Sequence, residues 1–403
     1  MTERDADAQY GDARTSSQDR VSLLVNFFEA HNVGHVVEAL HYCLGHHRAN
    51  PQSRLSVVLN AAAPTELAEL CPFVEAVYPV ELPGYPEDTS NLSEEDCLDA
   101  LRDVPGKWDY VLDNPRREVQ PHLQAVPGFA RYYEASDRYF SAREARVRVG
   151  DDPPGYSPRQ HLRLQPPEEN RLRAGEFVSE GRPRIAILPA GSSERSLYPS
   201  TASWEIILGT LEYRFPQASF CLIGKLGADG RTSTNFGRAD VERLQEACPQ
   251  AADLFDVPVL DQLAAVEACD VFISPHSGFG MAALTAGTPW LTISGGRYPE
   301  YFFNGVPFYS LLPDPERFPS YSWFGELPVL EEDEDGEGPR TPTMSRERIL
   351  ADLDELLEAT QLLAEGRLGY REALQSYFER FVSLHGGDTS GIYTIDDVHK
   401  EFV

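Results

Sequence analysis

Residues 254–296 read LFDVPVLDQLAAVEACDVFISPHSGFGMAALTAGTPWLTISGG, and the fold turns on how this stretch is parsed. Residues 260–269 carry apolar side chains at helical spacing. DVFISP (270–275) is a short continuous apolar run of strand length, the pattern of a strand covered on both faces. His276, Ser277 and Gly278 form a tight polar turn. FGMAALTA (279–286) is a small-residue helix that Gly287 is suited to end. PWLTIS (289–294) is the next strand. A strand that feeds a glycine-containing turn into a helix offers an anion the unpaired amides and positive dipole end of that helix. In open α/β sheets such a turn also lies where ligands bind, at the carboxyl end of a strand. An ordinary connection with no ligand has the same local pattern.

Working outward, strands and helices alternate along most of the chain. Strands are predicted at 21–28, 54–60, 74–80 and 108–113, with helices at 33–47, 65–71, from Ser93 with Asp96 as cap partner, and 129–145. A second series starts at Arg184: IAILP (185–189), a polar loop, a helix to about 215, SFCLIG (219–224), a helix at 238–248 and a short strand at 253–257. Residues 306–312 supply a last strand. Alternation of this kind implies parallel pairing and doubly wound sheets. At 403 residues the chain is too long for one typical core, so two domains are expected. The expected divisions are a disordered start (1–20), a first Rossmann-like domain (21–149), a Pro-rich linker or lid (150–183) and a second Rossmann-like domain (184–330). An acidic, solvated tether (331–343) and C-terminal helices (344–403) packing back toward the first domain complete the plan.

The formal net charge of -29 excludes nucleic acid and anionic membranes as natural partners, because the mean field repels both. No window approaches a membrane span, and the polar start lacks the apolar core of a signal peptide, so a cytoplasmic protein is expected. The six cysteines are scattered without a C-x-x-C pair, which points to buried free thiols. His31 and His35 have i,i+4 spacing, but no Glu or Cys completes a ligand set, so no metal is expected. His41, His46 and His47 read as helix-surface residues. G-x-G-x-x-G does not occur, which removes the nicotinamide fingerprint.

Four blocks resemble the heptosyltransferase-like family 9 glycosyltransferases, over most of residues 21–312. They are VNFFEAHNVGHVVEALHYCLGHH (25–47), AAAPTELAELCPFVEAVYPV (61–80), IAILPAGSSERSLYPSTASWEIIL (185–208) and DVPVLDQLAAVEACDVFISPHSGFGMAAL (256–284). The resemblance implies the GT-B arrangement: α/β, with two Rossmann-like doubly wound domains facing a cleft. It also implies a nucleotide-diphosphate sugar as substrate with no separate cofactor, and a small-molecule or glycan acceptor. Four positions depart from the family. Its Gly-Asp is here Gly34-His35, its Lys before Trp-Pro is Ser196 before Leu197-Tyr198-Pro199, its Asp-Thr-Gly is His276-Ser277-Gly278, and a later His is Met281. The resemblance therefore speaks for the fold and the donor class rather than for heptose transfer.

Transfer from such a donor requires loss of a proton from the acceptor hydroxyl and stabilisation of the departing diphosphate. In the family an Asp is proposed as the base; at the matching position His35 offers an imidazole, whose ordinary pKa near 6.5 suits the task. Glu29 and His31 stand close enough to orient it or replace it. For the diphosphate the candidates are Ser192, Ser193, His276, Ser277, Gly278 and Gly280, with Arg195 supplying the cation and Arg297 as second choice. Gly224 and Lys225, after a predicted strand, are candidates for the base or ribose. Inverting transfer is the leading reading. A nucleotide-sugar epimerase on the same fold, or a decayed nucleotide-binding or scaffold protein, are the alternatives.

Overall fold

The computed structural model describes residues 20–85, 89–115, 127–147, 154–227, 233–295, 300–318, 329–389, 392 and 394–403. The expected disorder of the first residues, and Arg297, lie outside them.

The first sheet is built from β1 (Ser22–Phe27), β2 (Arg54–Asn60), β3 (Ala76–Val80), β4 (Tyr110–Asp113) and β5 (Arg146–Val147). Its spatial order is β3-β2-β1-β4-β5 and every pairing is parallel. The helices between these strands are α1 (Val33–Ala49), α2 (Glu66–Glu69), α3 (Glu94–Ala100) and α4 (Pro127–Ser141). Ser93 caps α3 through Asp96 N, and Asp96 answers on the Ser93 amide, as the sequence suggests.

After α5 (Glu168–Phe177) the second sheet takes β6 (Arg184–Ile187), β7 (Ser219–Gly224), β8 (Ala252–Phe255), β9 (Val271–Pro275), β10 (Trp290–Ile293) and β11 (Phe308–Leu311). The order is β11-β10-β9-β6-β7-β8, again all parallel. Its helices are α6 (Thr201–Arg214), α7 (Arg238–Ala247), α8 (Val259–Glu267) and α9 (Gly278–Ala286). β7 and β9 are buried along their full length, which is why they read as apolar runs without alternation. The fold class is thus two Rossmann-like doubly wound domains. All six cysteines are free and buried.

Strand order reverses between β1 and β4 in the first domain and between β6 and β9 in the second. Ligand crevices in such sheets open at these switch points. The residues following β1, β6 and β9 are 28–32, 188–193 and 276–278, which include Glu29, His31, Ser192, Ser193, His276, Ser277 and Gly278 of the candidates above.

Several expectations need correction. The 150–183 segment is not a plain linker or lid: α5 docks on α8, with Asn170 Nδ2 donating to Asp261 Oδ1 at 2.8 Å and Arg171 paired with Glu267 at 2.7 Å. The acidic tether is not merely solvated. Two short strands, β12 (Glu331–Glu332) and β13 (Pro339–Arg340), form a hairpin whose Glu337 accepts the Thr201 and Ala202 amides at 2.9 and 3.2 Å, capping α6. The C-terminal run breaks into α10 (Arg346–Ala351), α11 (Leu353–Ala364) and α12 (Tyr370–Leu384). α11 and α12 pack on strands of the second sheet, and a contact with α1 comes instead from the 3₁₀ segment Ile395–Glu401. α1 itself is buried from Val33 to Gly45 except at His35, so His41 is a core residue and not a surface one.

Trp204 is fully buried in α6, and its indole N–H donates to Pro189 O at 2.9 Å, holding the chain just ahead of the 190–193 loop. Trp204→Phe removes that bond and some volume, and should cost about 1–3 kcal/mol in urea unfolding. An unchanged midpoint would show that the loop's anchor lies elsewhere.

Candidate functional site

A cleft of about 590 Å³ opens between the two domains. Its walls are the amino ends of α1 and α9, the 190–193 loop, the 224–225 strand end and the 256–262 segment. Both helix ends are capped in the manner their sequences suggest. Asn32 Oδ1 accepts from His35 N at 3.0 Å, and Ser277 Oγ accepts from Gly280 N at 3.1 Å. α9 ends at Gly287 with φ 85°, a left-handed residue that suits glycine.

The two helices meet end to end. A Cβ placed on Gly34 would lie 2.7 Å from Gly278 Cα, closer than side-chain carbons approach other atoms. Gly34 must therefore lack a side chain for the backbones to come this near, while a Cβ on Gly278 would sit tightly, 3.1 Å from Gly34 N. Two positive helix ends therefore face one volume, each equivalent to roughly half an elementary charge.

Of the three candidate bases, only His35 lines this cleft. It sits half-buried in the first turn of α1, its ring 5.8 Å from that of His31. Glu29 is buried beneath, accepting from Asn114 Nδ2 at 2.7 Å and Tyr133 OH at 2.5 Å. His31 turns away toward Tyr85, with Nδ1 3.0 Å from its hydroxyl and 3.1 Å from Glu29 O.

Among the anion candidates, Ser192, Ser193, His276, Ser277 and Gly278 line the cleft. Gly280 does not: it is buried one turn in, its amide spent on the Ser277 cap. Ser193 N donates to Tyr198 OH at 3.2 Å, and that hydroxyl occupies the space a Cβ on Gly191 would need, 2.6 Å away. Desolvation lowers the His276 pKa to about 4, so this ring is neutral at pH 7 and offers a hydrogen bond, not a charge. Gly224 and Lys225 also line the cleft.

Arg195 is the clearest departure from expectation. Its guanidinium donates to both carboxylate oxygens of Asp240, at 3.0 and 3.2 Å, and lies 5.5 Å from the Phe236 ring centre. It is not among the lining residues. Burial works against the Asp240 charge, but Arg195, the Gly237 amide and the Thr201 hydroxyl outweigh it and keep that carboxyl below its ordinary range. Among the described lining residues the full charges are Glu66, Lys225 and Asp256.

Sequence reasoning passed over Asn32, Gln262 and Tyr301. Asn32 carried a usable signal as an N-cap residue ahead of an apolar helix. Gln262 is a buried amide donating to Gly224 O and Val257 O, at 2.9 and 3.0 Å, and fixes the strand end beside Lys225. Tyr301 comes from a segment without periodic pattern; its ring lies 5.4 Å from that of His276 and its hydroxyl 3.2 Å from Met281 Sδ. Among the described residues no three His, Cys, Asp or Glu side chains gather where a metal could bind, and no helix is long and apolar enough to cross a membrane.

Two Rossmann-like domains facing a cleft define the GT-B class of fold. Within it, this chain is similar to the family 9 glycosyl transferase from Veillonella parvula DSM 2008, at 16% identity and a TM-score of 0.51 over 84% of this chain and 97% of that one. It is similar also to E. coli ADP-heptose lps heptosyltransferase II, at 14% identity and 0.50 over 85% and 99%. A lesser likeness, TM-score 0.43 at 10% identity over 92% of this chain and all (100%) of the other, is to the UDP-GlcNAc 2-epimerase from Neisseria meningitidis bound to UDP-GlcNAc, and it carries no functional weight. At these identities the likenesses establish the fold. No protein-family model and no curated protein matches the sequence.

Glu38, one turn along α1 from His35, is buried, and burial followed by the charge of Glu29 pushes its pKa up to about 8. A carboxyl raised in the folded state contributes stability that is full below its unfolded pKa, about 4.5, and is lost as pH rises through about 8. His276 works in the opposite sense: its contribution is present above about 6.5 and is lost as pH falls toward 4. Glu38→Gln should therefore leave stability near that of the parent at pH 5 and raise it at pH 8. Equal unfolding midpoints for parent and variant at pH 8 would contradict this.

Proposed function

We propose that this protein transfers a sugar from a nucleotide-diphosphate donor to a hydroxyl of a small-molecule or glycan acceptor, with inversion at the anomeric carbon. One observation carries the reading. The first turns of α1 and α9 touch at Gly34 and Gly278, which puts His35 and the His276–Gly278 turn into the same cleft volume. A base and an anion-stabilising turn facing one volume are the two parts a displacement at the anomeric carbon requires.

In this mechanism the donor diphosphate lies against the amino end of α9, with the Ser192–Ser193 loop beside it and Lys225 toward the nucleoside. Helix-end dipoles and fixed hydrogen-bond donors stabilise negative charge as the glycosidic C–O bond breaks, and they need no reorganisation at that moment. His35 takes the acceptor proton as the new C–O bond forms. His276, neutral at pH 7, donates or accepts a hydrogen bond at the turn without fixing the leaving group through charge. Weak holding of the product suits turnover, since a diphosphate clamped by several guanidinium groups would leave slowly. The nucleotide sugar is substrate, and no further cofactor enters the scheme. The protein acts on donors in solution, in keeping with the cytoplasmic expectation.

The test is calorimetry with a panel of nucleoside diphosphates, followed by a mass-shift screen with the matching nucleotide sugars and acceptors. At least one nucleotide should bind, and His35→Ala should lower turnover by about 10²–10⁴-fold with donor affinity nearly unchanged. Absence of binding to every nucleotide would defeat the proposal. Normal turnover in folded His35→Ala protein would move the base to another group.

A further inference from the structure

Among the described residues the chain crosses between domains once before its C-terminal segment returns, and the crossing is sharply divided. Residues 154–160 lie along α1. His46 Nδ1 and Asn50 Nδ2 meet Gly155 O at 3.0 and 3.3 Å, and Ser157 N donates to Gly45 O at 3.0 Å. The Tyr156 ring fills the space left by the missing side chain of Gly45, where a Cβ would fall 2.1 Å from it. From residue 162 the chain belongs to the second domain. Leu162 N donates to Asn304 Oδ1 at 2.7 Å, and Leu164 N to Thr285 O at 3.2 Å. The hinge is therefore at 160–161.

The segment Ile395–Glu401 lies across this hinge. Its Asp396 carboxylate is 3% exposed and accepts three hydrogen bonds. They come from His41 Nε2 at 2.6 Å, Tyr156 OH at 2.7 Å and Arg159 N at 3.0 Å. All three donors sit on the first-domain side. The segment itself is fixed to the second domain: Ile395 N donates to Tyr301 O at 2.9 Å, and the Phe402 ring stacks on Phe378 with centres 5.9 Å apart. Asp396 and Asp397 both hold positive φ, 61° and 54°, a conformation that persists only where surrounding contacts over-determine it. Tyr301, whose carbonyl anchors the segment, has its side chain in the cleft against His276 and Met281.

We propose that Asp396 is a clasp across the interdomain hinge and, through the Ile395–Tyr301 main-chain bond, a positioning residue for the wall of the cleft. One carboxylate gathers donors from α1 and from the crossing segment, and its own backbone is pinned to the residue that faces the His276 turn. Loss of the carboxylate removes three hydrogen bonds from the first-domain side to the segment, leaving the Arg159–Glu401 ion pair, and loosens Tyr301. A cavity of about 160 Å³ between His41, Gln160, Phe303 and Phe402 lies alongside and gives the segment room to shift. The device operates without nucleotide, so it stands or falls separately from the sugar-transfer reading.

The experiment uses the full chain without ligand, as parent, Asp396→Ala, Tyr156→Phe and Asp397→Asn. The last is a control, since Asp397 is exposed and pairs only with Lys400 at 2.8 Å among its described ion pairs. Small-angle scattering should show a larger radius of gyration for Asp396→Ala. Hydrogen exchange in peptides covering 275–281 and Tyr301 should run about tenfold faster, with the central strands of both sheets still protected. Tyr156→Phe removes one donor and should move both readouts in the same direction by less; Asp397→Asn should move neither. If Asp396→Ala does not fold, Tyr156→Phe decides. Faster exchange confined to residues 394–403, with radius and the 275–281 turn unchanged, would reduce Asp396 to a local anchor and overturn the proposal.

Discussion

Two glycines in contact set the geometry of this molecule. The amino ends of α1 and α9 approach until Gly34 and Gly278 touch; a side chain at Gly34 would push the helices apart, and one at Gly278 would crowd the Gly34 amide. That contact decides how the domains face each other, how wide the cleft is, and which first-turn residues look into it. His35 reaches the cleft because the glycine before it allows the approach. Asn32 and Ser277 cap the two ends and leave the remaining first-turn amides directed at a shared volume. α9 is accordingly rich in glycine and alanine, and one buried apolar cluster runs on through both domains behind the contact.

The sequence was most readable where physics is local. Strands β7 and β9 announced themselves as uninterrupted apolar runs, Ser93 and Asp96 as a capping box, and Gly287 as a helix stop. Parallel pairing followed from alternation alone, and the switch-point rule then located the 276–278 turn. Long-range partners were not readable. Nothing in the neighbourhood of Arg195 announces Asp240, forty-five positions on, and nothing near His41 announces Asp396, 355 positions away. α1 was misread along its polar face because a helix covered on several sides does not keep a solvent stripe. The acidic 331–338 run was misread because its composition resembles a tether, while its carboxylates have specific acceptor roles at α6 and with Arg243.

Charge shapes the site by subtraction. With 64 acidic residues against 35 Lys and Arg, a guanidinium in this protein readily finds a carboxylate. In the second domain Arg171, Arg173, Arg182, Arg195, Arg243 and Arg340 are each paired with one. Cations drawn into such pairs are withheld from an anionic ligand. Among the described lining residues the cleft keeps one full cation, Lys225, beside the partial charge on backbone amides, which does not titrate.

The hairpin at 331–340 bears on how this chain could be divided. Glu337 adds to the Ser200 cap of α6 by accepting the first two amides, Arg340 donates from a buried position to Arg195 O and Tyr198 O at 2.9 and 2.7 Å, and Thr341 N donates to Ser196 O at 3.0 Å. The loop beside the cleft is therefore scaffolded by residues well past the last strand of its own sheet. A fragment cut after β11 would contain every strand of the second Rossmann unit and still lack the supports of its ligand-facing edge. The second unit is longer than its sheet, extending through the hairpin to the helices that pack on β11.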